Sequence, residues 1–263
     1  VDLHVREAGS GPAVLCLHAN ASTSGQWCAL MDALAPRWRV LAPDTLGAGH
    51  GPPWPARADV RLADEVALLE PLRSRVSGPL HVVGHSYGGA LALKLALAWP
   101  GRVASLVLFE PTLFALLLQQ QPGHPAVAGI VGTVQGAAAA VDRGDLDAAA
   151  ERFIDYWMGA GAWAEMPDAR RARVAASVRN VRGWADALML EPATLDDLRA
   201  LPMPITLLAG AESPESARAV LRLLAAALPQ ARMLELAGLG HMGPVTHPGV
   251  VNPVIEAALA QAA

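Results

Sequence analysis

The sequence predicts an α/β protein, a doubly wound and mostly parallel sheet with a helical cap inserted between two of its strands. Three observations carry this. Short apolar runs recur along the chain, separated by helix-like stretches. The runs are apolar on both faces, as strands covered from both sides are. One long interval, from Pro111 to about Ala200, holds no strand-like run.

The opening Leu3-His4-Val5-Arg6-Glu7 alternates apolar and polar residues, as an antiparallel edge strand does. Val14–Leu17, after the turn-forming Gly9-Ser10-Gly11-Pro12, is the first buried strand. A helix from about Gly25 to Ala35 leads to a strand at Arg39–Pro43. Another, from about Asp59 to Val76, leads to Leu80–Gly84, and a third, from about Gly88 to Trp99, leads to Ser105–Phe109. Ile205–Ala209 and Met233–Leu236 complete the set. Strands joined through helices imply right-handed crossovers. The expected division is a core of residues 1–110 and 201–263 and a cap of residues 111–200. Residues 111–141 contain no Asp, Glu, Lys or Arg, with a turn at Gln119–Gly123 and a close-packed helix at Ala137–Ala140. Residues 142–200 read as amphipathic helices broken by Gly159, Gly161, Pro167 and Gly183.

Composition narrows the function. Hydrophobic residues make up 53% of the chain before glycine is counted, where ~45–50% including glycine is usual. That excludes disorder. A net charge of −4 without a basic cluster argues against nucleic acid as a partner. No run of about 18 purely apolar residues appears, so no membrane span is expected. No secretory leader pattern opens the sequence, and the expected location is cytoplasmic. Cys16 and Cys28 suit neither a disulfide framework nor a zinc site, and both read as buried thiols. The single lysine, Lys94, reads as a solvated side chain and leaves no other lysine for Schiff-base chemistry. No metal or cofactor is expected.

Gly84-His85-Ser86-Tyr87-Gly88 stands where a strand hands over to a helix. This is the G-x-S-x-G pattern of a nucleophile elbow, a sharp turn that lifts a serine Oγ above the strand ends. Ser86 is the candidate nucleophile. The Tyr87 N–H, at the start of the following helix, faces any negative charge that develops there. Serine needs a base. Of the eight histidines, His241 lies in the Gly-rich loop Gly238–Gly243 after the last strand, where it can reach over the strand ends. His247 reads as the start of the last helix, His18 as a loop-fixing hydrogen-bonding group, and His85 as turned away from Ser86. The second oxyanion donor is expected from the loop after Val14–Leu17, with the Asn20 N–H first and Ala19 next.

These motifs, His18-Ala19-Asn20, Asp44-Thr45-Leu46-Gly47-Ala48-Gly49, Gly84–Gly89 and Gly240-His241, make the chain resemble an α/β-hydrolase-fold serine hydrolase from about residue 3 to 260. The oxyanion loop of that family often reads His-Gly, where this chain has His18-Ala19. The resemblance implies chain order serine, acid, histidine, with the acid usually after the strand that follows the cap. That position here carries Ser213, in Gly210-Ala211-Glu212-Ser213. Two substitutes remain. Some families of this fold, certain haloalkane dehalogenases among them, place the acid at the end of the strand before the cap, where Glu110 stands. Glu212, one position early, is the alternative.

The expected reaction is hydrolysis of a small to medium, largely apolar carboxylic ester through Ser86, His241 and Glu110. Carbon–carbon bond hydrolysis and perhydrolysis are alternatives within the same fold. A small-molecule receptor that keeps the fold is an alternative of another class. Phe114, Leu116, Leu117, Leu118, Trp157, Trp163, Trp184 and Met189 are the candidate pocket walls. The charge-free stretch is read either as a lid over an apolar site or as a subunit contact, as in a homodimer.

Overall fold

The computed structural model describes residues 3–56 and 60–262. In chain order the elements are β1 (Val5–Ala8), β2 (Ala13–Leu17), a one-turn 3-10 helix (Ser24–Trp27), α1 (Cys28–Leu34), β3 (Arg39–Pro43), α2 (Leu62–Arg75), β4 (Leu80–His85), α3 (Tyr87–Ala98) and β5 (Val103–Phe109). Seven helices follow: α4 (Phe114–Gln120), α5 (Pro125–Asp142), α6 (Leu146–Met158), α7 (Ala162–Glu165), α8 (Asp168–Val178), α9 (Val181–Met189) and α10 (Leu195–Arg199). The chain ends with β6 (Ile205–Gly210), α11 (Glu215–Ala227), β7 (Ala231–Leu236), α12 (Gly243–Thr246) and α13 (Pro248–Ala262). Asp59, where the sequence reading begins the second helix, lies outside the described residues.

The seven strands lie in the order β1-β3-β2-β4-β5-β6-β7. Only β1 is antiparallel, paired with β3 through Val5↔Pro43 to Ala8↔Val40. The chain leaves β2 for β3 on one side and returns to β4 on the other. This reversal opens a crevice at the carboxyl ends of β2 and β4, the usual place for a site in such a sheet.

Alternation along each strand divides the core. Val14, Cys16, Val83, Val107 and Leu208 face α1 and α13. Leu15, Leu17, Val82, Leu106, Leu108 and Leu207 face the other layer. That second cluster runs on without a break through Leu91 and Leu95 of α3 and Leu116 and Leu117 of α4 into Ala137, Ala150, Trp157 and Trp184. The inserted helices and the sheet therefore share one apolar core. α5 is long and apolar enough, by length and composition, to cross a membrane. Here it packs against α6, α9 and α11, with Ala137, Ala138 and Ala140 buried.

Two expectations are corrected. Cys28 is exposed rather than buried, because it opens α1 on the side away from the sheet, whereas Cys16 lies inside β2. Burial pushes the Cys16 thiol pKa up. Lys94 is not a solvated side chain. Its Nζ donates to Oε1 of buried Glu191 at 2.6 Å, tying α3 to the segment after α9.

The elbow turn needs two close backbone approaches. A Cβ at Gly88 would stand 2.2 Å from the Leu17 carbonyl oxygen, and one at Gly84 would stand 2.5 Å from the Gly88 carbonyl oxygen. Gly88→Ala is therefore expected to destabilise the fold by about 3 kcal/mol. Gly132→Ala in α5, where an added Cβ meets nothing, should stabilise by roughly 0.5–1 kcal/mol through helix propensity. Urea midpoints of both variants measure the contrast.

Candidate active site

Ser86 joins β4 to α3 at φ 55° and ψ −117°. A non-glycine residue held at positive φ costs about 1–3 kcal/mol unless its surroundings fix it. They do so here. The Ser86 N–H donates to the Phe109 carbonyl at 2.9 Å, and the Ser86 carbonyl accepts from the N–H groups of Gly89, Ala90 and Thr112. Glu110, directly after β5, is also at positive φ (46°), as is Ala21 (53°) in the loop after β2. Among the described residues these three are the only non-glycine positions with positive φ. They fall on the three segments that build the site.

The expected residues converge. The Ser86 Oγ–H donates to His241 Nε2 at 2.9 Å. His241 Nδ1–H donates to Glu110 Oε2 at 2.6 Å. The other Glu110 oxygen, Oε1, accepts the Gly210 N–H at 2.7 Å. Glu110 is fully buried and His241 nearly so, so both carboxylate oxygens are satisfied where water cannot reach. Glu212 is not brought to His241. It is exposed and its N–H donates to the Leu239 carbonyl, while both His241 ring nitrogens are taken by Glu110 and Ser86. Ser213 is buried with its hydroxyl unpartnered.

Around the crevice, Ser86, His241, Asn20 and Ala19 line one cavity. The Ala19 N–H is already taken by Gln26 Oε1 at 3.2 Å, which favours Asn20 over Ala19 as the donor from this loop. Tyr87 is the first residue of α3, and its N–H has no intrahelical partner. The Tyr87 ring turns away, and its hydroxyl donates to Glu65 Oε1 at 3.2 Å. Phe114, Trp157, Trp184 and Met189 of the expected walls line the cavity. Leu116, Leu117 and Trp163 are buried elsewhere, and Leu118 is half-buried outside the cavity.

The supporting histidines divide the work. His18 donates from Nδ1 to the Ala19 carbonyl at 2.8 Å and accepts the Thr45 N–H on Nε2, joining the loops after β2 and β3. Burial lowers its pKa. Asp44 accepts the Ser24 and His50 N–H groups. Burial alone would raise its pKa, but those amides outweigh it and the net shift is downward. His85 turns away from Ser86, as the sequence implies. Its Nε2–H donates to the His241 carbonyl at 2.8 Å, and its Nδ1 accepts from Gln26 Nε2 at 3.0 Å. One neutral imidazole thus links the loop of Ala19 to the backbone of His241, and burial, with His241 nearby, holds its pKa well below the usual value. The sequence reading missed Gln26, which no motif marks. It also missed the Trp157 ring stacked on His241, with centroids 4.1 Å apart and planes at 28°.

A serine on a strand-to-helix turn, a histidine from the last loop and a buried carboxylate thus meet in one hydrogen-bonded line at the carboxyl ends of a doubly wound sheet. The chain belongs to the alpha/beta hydrolase fold family, whose model matches residues 12–248. It is 44% identical over 116 residues to the lipase LipV of Mycobacterium tuberculosis, a match covering 42% of each chain. It is 27% identical to a pimeloyl-[acyl-carrier protein] methyl ester esterase of Aeromonas hydrophila, across 97% of this chain and 98% of that one. Matches to the first relatives are partial, and the chain spans about two fifths of LipV. A solved thermophilic esterase of Thermogutta terrifontis, with malate bound, shares the fold at TM-score 0.78 and 24% identity, covering 99% of this chain and 93% of that one.

Glu65 offers a test of the surroundings. It is fully buried in α2, and desolvation raises its pKa from 4.5 to about 7 against the opposing bonds from the Leu46 N–H and Tyr87 hydroxyl. The folded state then binds this proton more tightly than the unfolded chain does. Its contribution to stability is full below 4.5 and falls as pH rises towards about 7. Glu65→Gln should remove that fall. Urea midpoints at pH 5 and pH 8 should differ between variant and parent in this sense. The comparison isolates Glu65 from the buried histidines, whose lowered pKa values act oppositely.

Proposed function

We propose that the protein hydrolyses small to medium, largely apolar carboxylic esters through an acyl-enzyme on Ser86. The observation that carries this reading is the unbroken chain from Ser86 Oγ to His241 to Glu110, at 2.9 and 2.6 Å, opening onto an apolar cavity. His241 Nε2 takes the Ser86 proton as Oγ attacks the ester carbonyl. The Asn20 and Tyr87 N–H groups receive the oxyanion. His241 passes the proton to the departing alcohol, then takes one from the water that attacks the acyl-enzyme, and Ser86 recovers its hydrogen. Glu110 keeps Nδ1 protonated and stabilises the imidazolium. Its position at a strand end, held by the Gly210 N–H, supports it as the acid.

Phe114, Phe153, Trp157 and Trp184 support an apolar acyl group as the cavity's occupant. The ring of Trp157 stacks on His241 and helps to hold the imidazole in place beside Ser86.

Ser86→Ala and His241→Ala are expected to lower kcat/KM on p-nitrophenyl esters by about 10⁴-fold or more. Glu110→Gln should cost roughly 10²–10⁴-fold, and Glu212→Gln less than about twofold, the ordinary effect of an exposed side chain. A damaging Glu212→Gln would overturn the acid assignment. Covalent labelling of Ser86 by a fluorophosphonate without ester turnover would point to a receptor instead.

A further inference from the structure

Thr112 lies two residues beyond Glu110, on the segment leading into α4. It is 1% exposed. Its N–H donates to the Ser86 carbonyl at 3.3 Å, and its own carbonyl accepts the Phe114 N–H at 2.7 Å. Its hydroxyl has no partner. The other buried side-chain atoms without partners, among the described residues, belong to His4, Trp27, Arg102, Trp163, Glu191 and Ser213. None of those residues lines the cavity, and Thr112 does. A buried hydroxyl left unbonded is costly, and native structures keep few of them. Valine has the same shape and carries no such cost. A cavity-lining residue with an orphan hydroxyl holds an unused hydrogen bond beside walls that are mostly apolar.

We propose that Thr112 is a specificity-determining residue whose hydroxyl bonds an oxygen on the acyl chain of the substrate. The preferred esters then carry a hydroxyl or oxo group one or two carbons from the scissile carbonyl. The distance follows from the tether to Ser86, which holds Thr112 at the nucleophile end of the cavity. Neighbouring Phe114 and Trp157 offer such an oxygen no competing partner. This inference rests on the ester reading above and deepens it.

The test compares kcat/KM on methyl butanoate, methyl 2-hydroxybutanoate and methyl 3-hydroxybutanoate for the parent protein, Thr112→Val and Thr112→Ser. In Thr112→Val the ratio of a hydroxyester to methyl butanoate should fall about tenfold, the order of one lost hydrogen bond. Thr112→Ser, which keeps the hydroxyl, should hold that ratio within about twofold of the parent. Thr112→Ala reads the same ratio if the valine variant does not fold. Turnover of methyl butanoate with both ratios unchanged in the variants lacking the hydroxyl overturns the role of Thr112 and leaves the ester reading intact. An equal loss on all three esters does the same, because it reports packing. A parent protein that turns over none of the three overturns the ester reading and this inference with it.

Discussion

A carboxylate with no access to water is costly unless fixed donors satisfy both of its oxygens. Glu110 meets this condition from two directions, with the Gly210 N–H on one oxygen and His241 Nδ1–H on the other. Much of the site follows from that requirement. Gly210 ends β6, so the acid locks the end of β5 to its neighbour. His241 arrives from the loop after β7, and that loop is pressed against Gly210, where a Cβ would lie 2.3 Å from the Leu239 carbonyl oxygen. The sheet order places β5 between β4 and β6. A residue just past β5 therefore lies within reach of both the elbow and the last loop. The strained backbone at Ser86 and Glu110 persists because each is anchored by its own amide, to Phe109 and to Leu208.

Much of this was legible in the residues. Buried parallel strands are apolar on both faces, and six runs found this way, with the alternating edge run at the start, correspond to the seven strands, with ends moved by one or two residues. Ser86 announced itself because the turn needs glycines at fixed offsets, which is a constraint on sequence. His241 was legible from the Gly-rich loop around it. Glu110 was legible only through the resemblance, as the position where some families of the fold carry the acid, with Glu212 left open beside it.

The remainder depended on contacts between residues far apart in the chain. Gln26 bonds His85 across 59 positions, and His85 bonds the His241 carbonyl across 156. No local pattern marks such pairs. Lys94 read as solvated because its partner, Glu191, lies 97 residues away. Cys28 read as buried because cysteine usually is, yet its place at the start of α1 leaves it open. Trp157 sat in a helical apolar pattern that suits any core face, and only the packing of α6 over the strand ends puts its ring on His241.

The apolar core that the sheet shares with the inserted helices also governs motion. α4, α5, α6 and α9 could not swing away as one rigid body without tearing that core open. Local opening is cheapest where few apolar side chains are buried. Along the cavity wall that place is α8, which buries only Val174 and Val178 and contributes Arg170 and Val174 to the lining. The wall around Ser86 is thus thickest where the inserted helices merge with the sheet core and thinnest along α8.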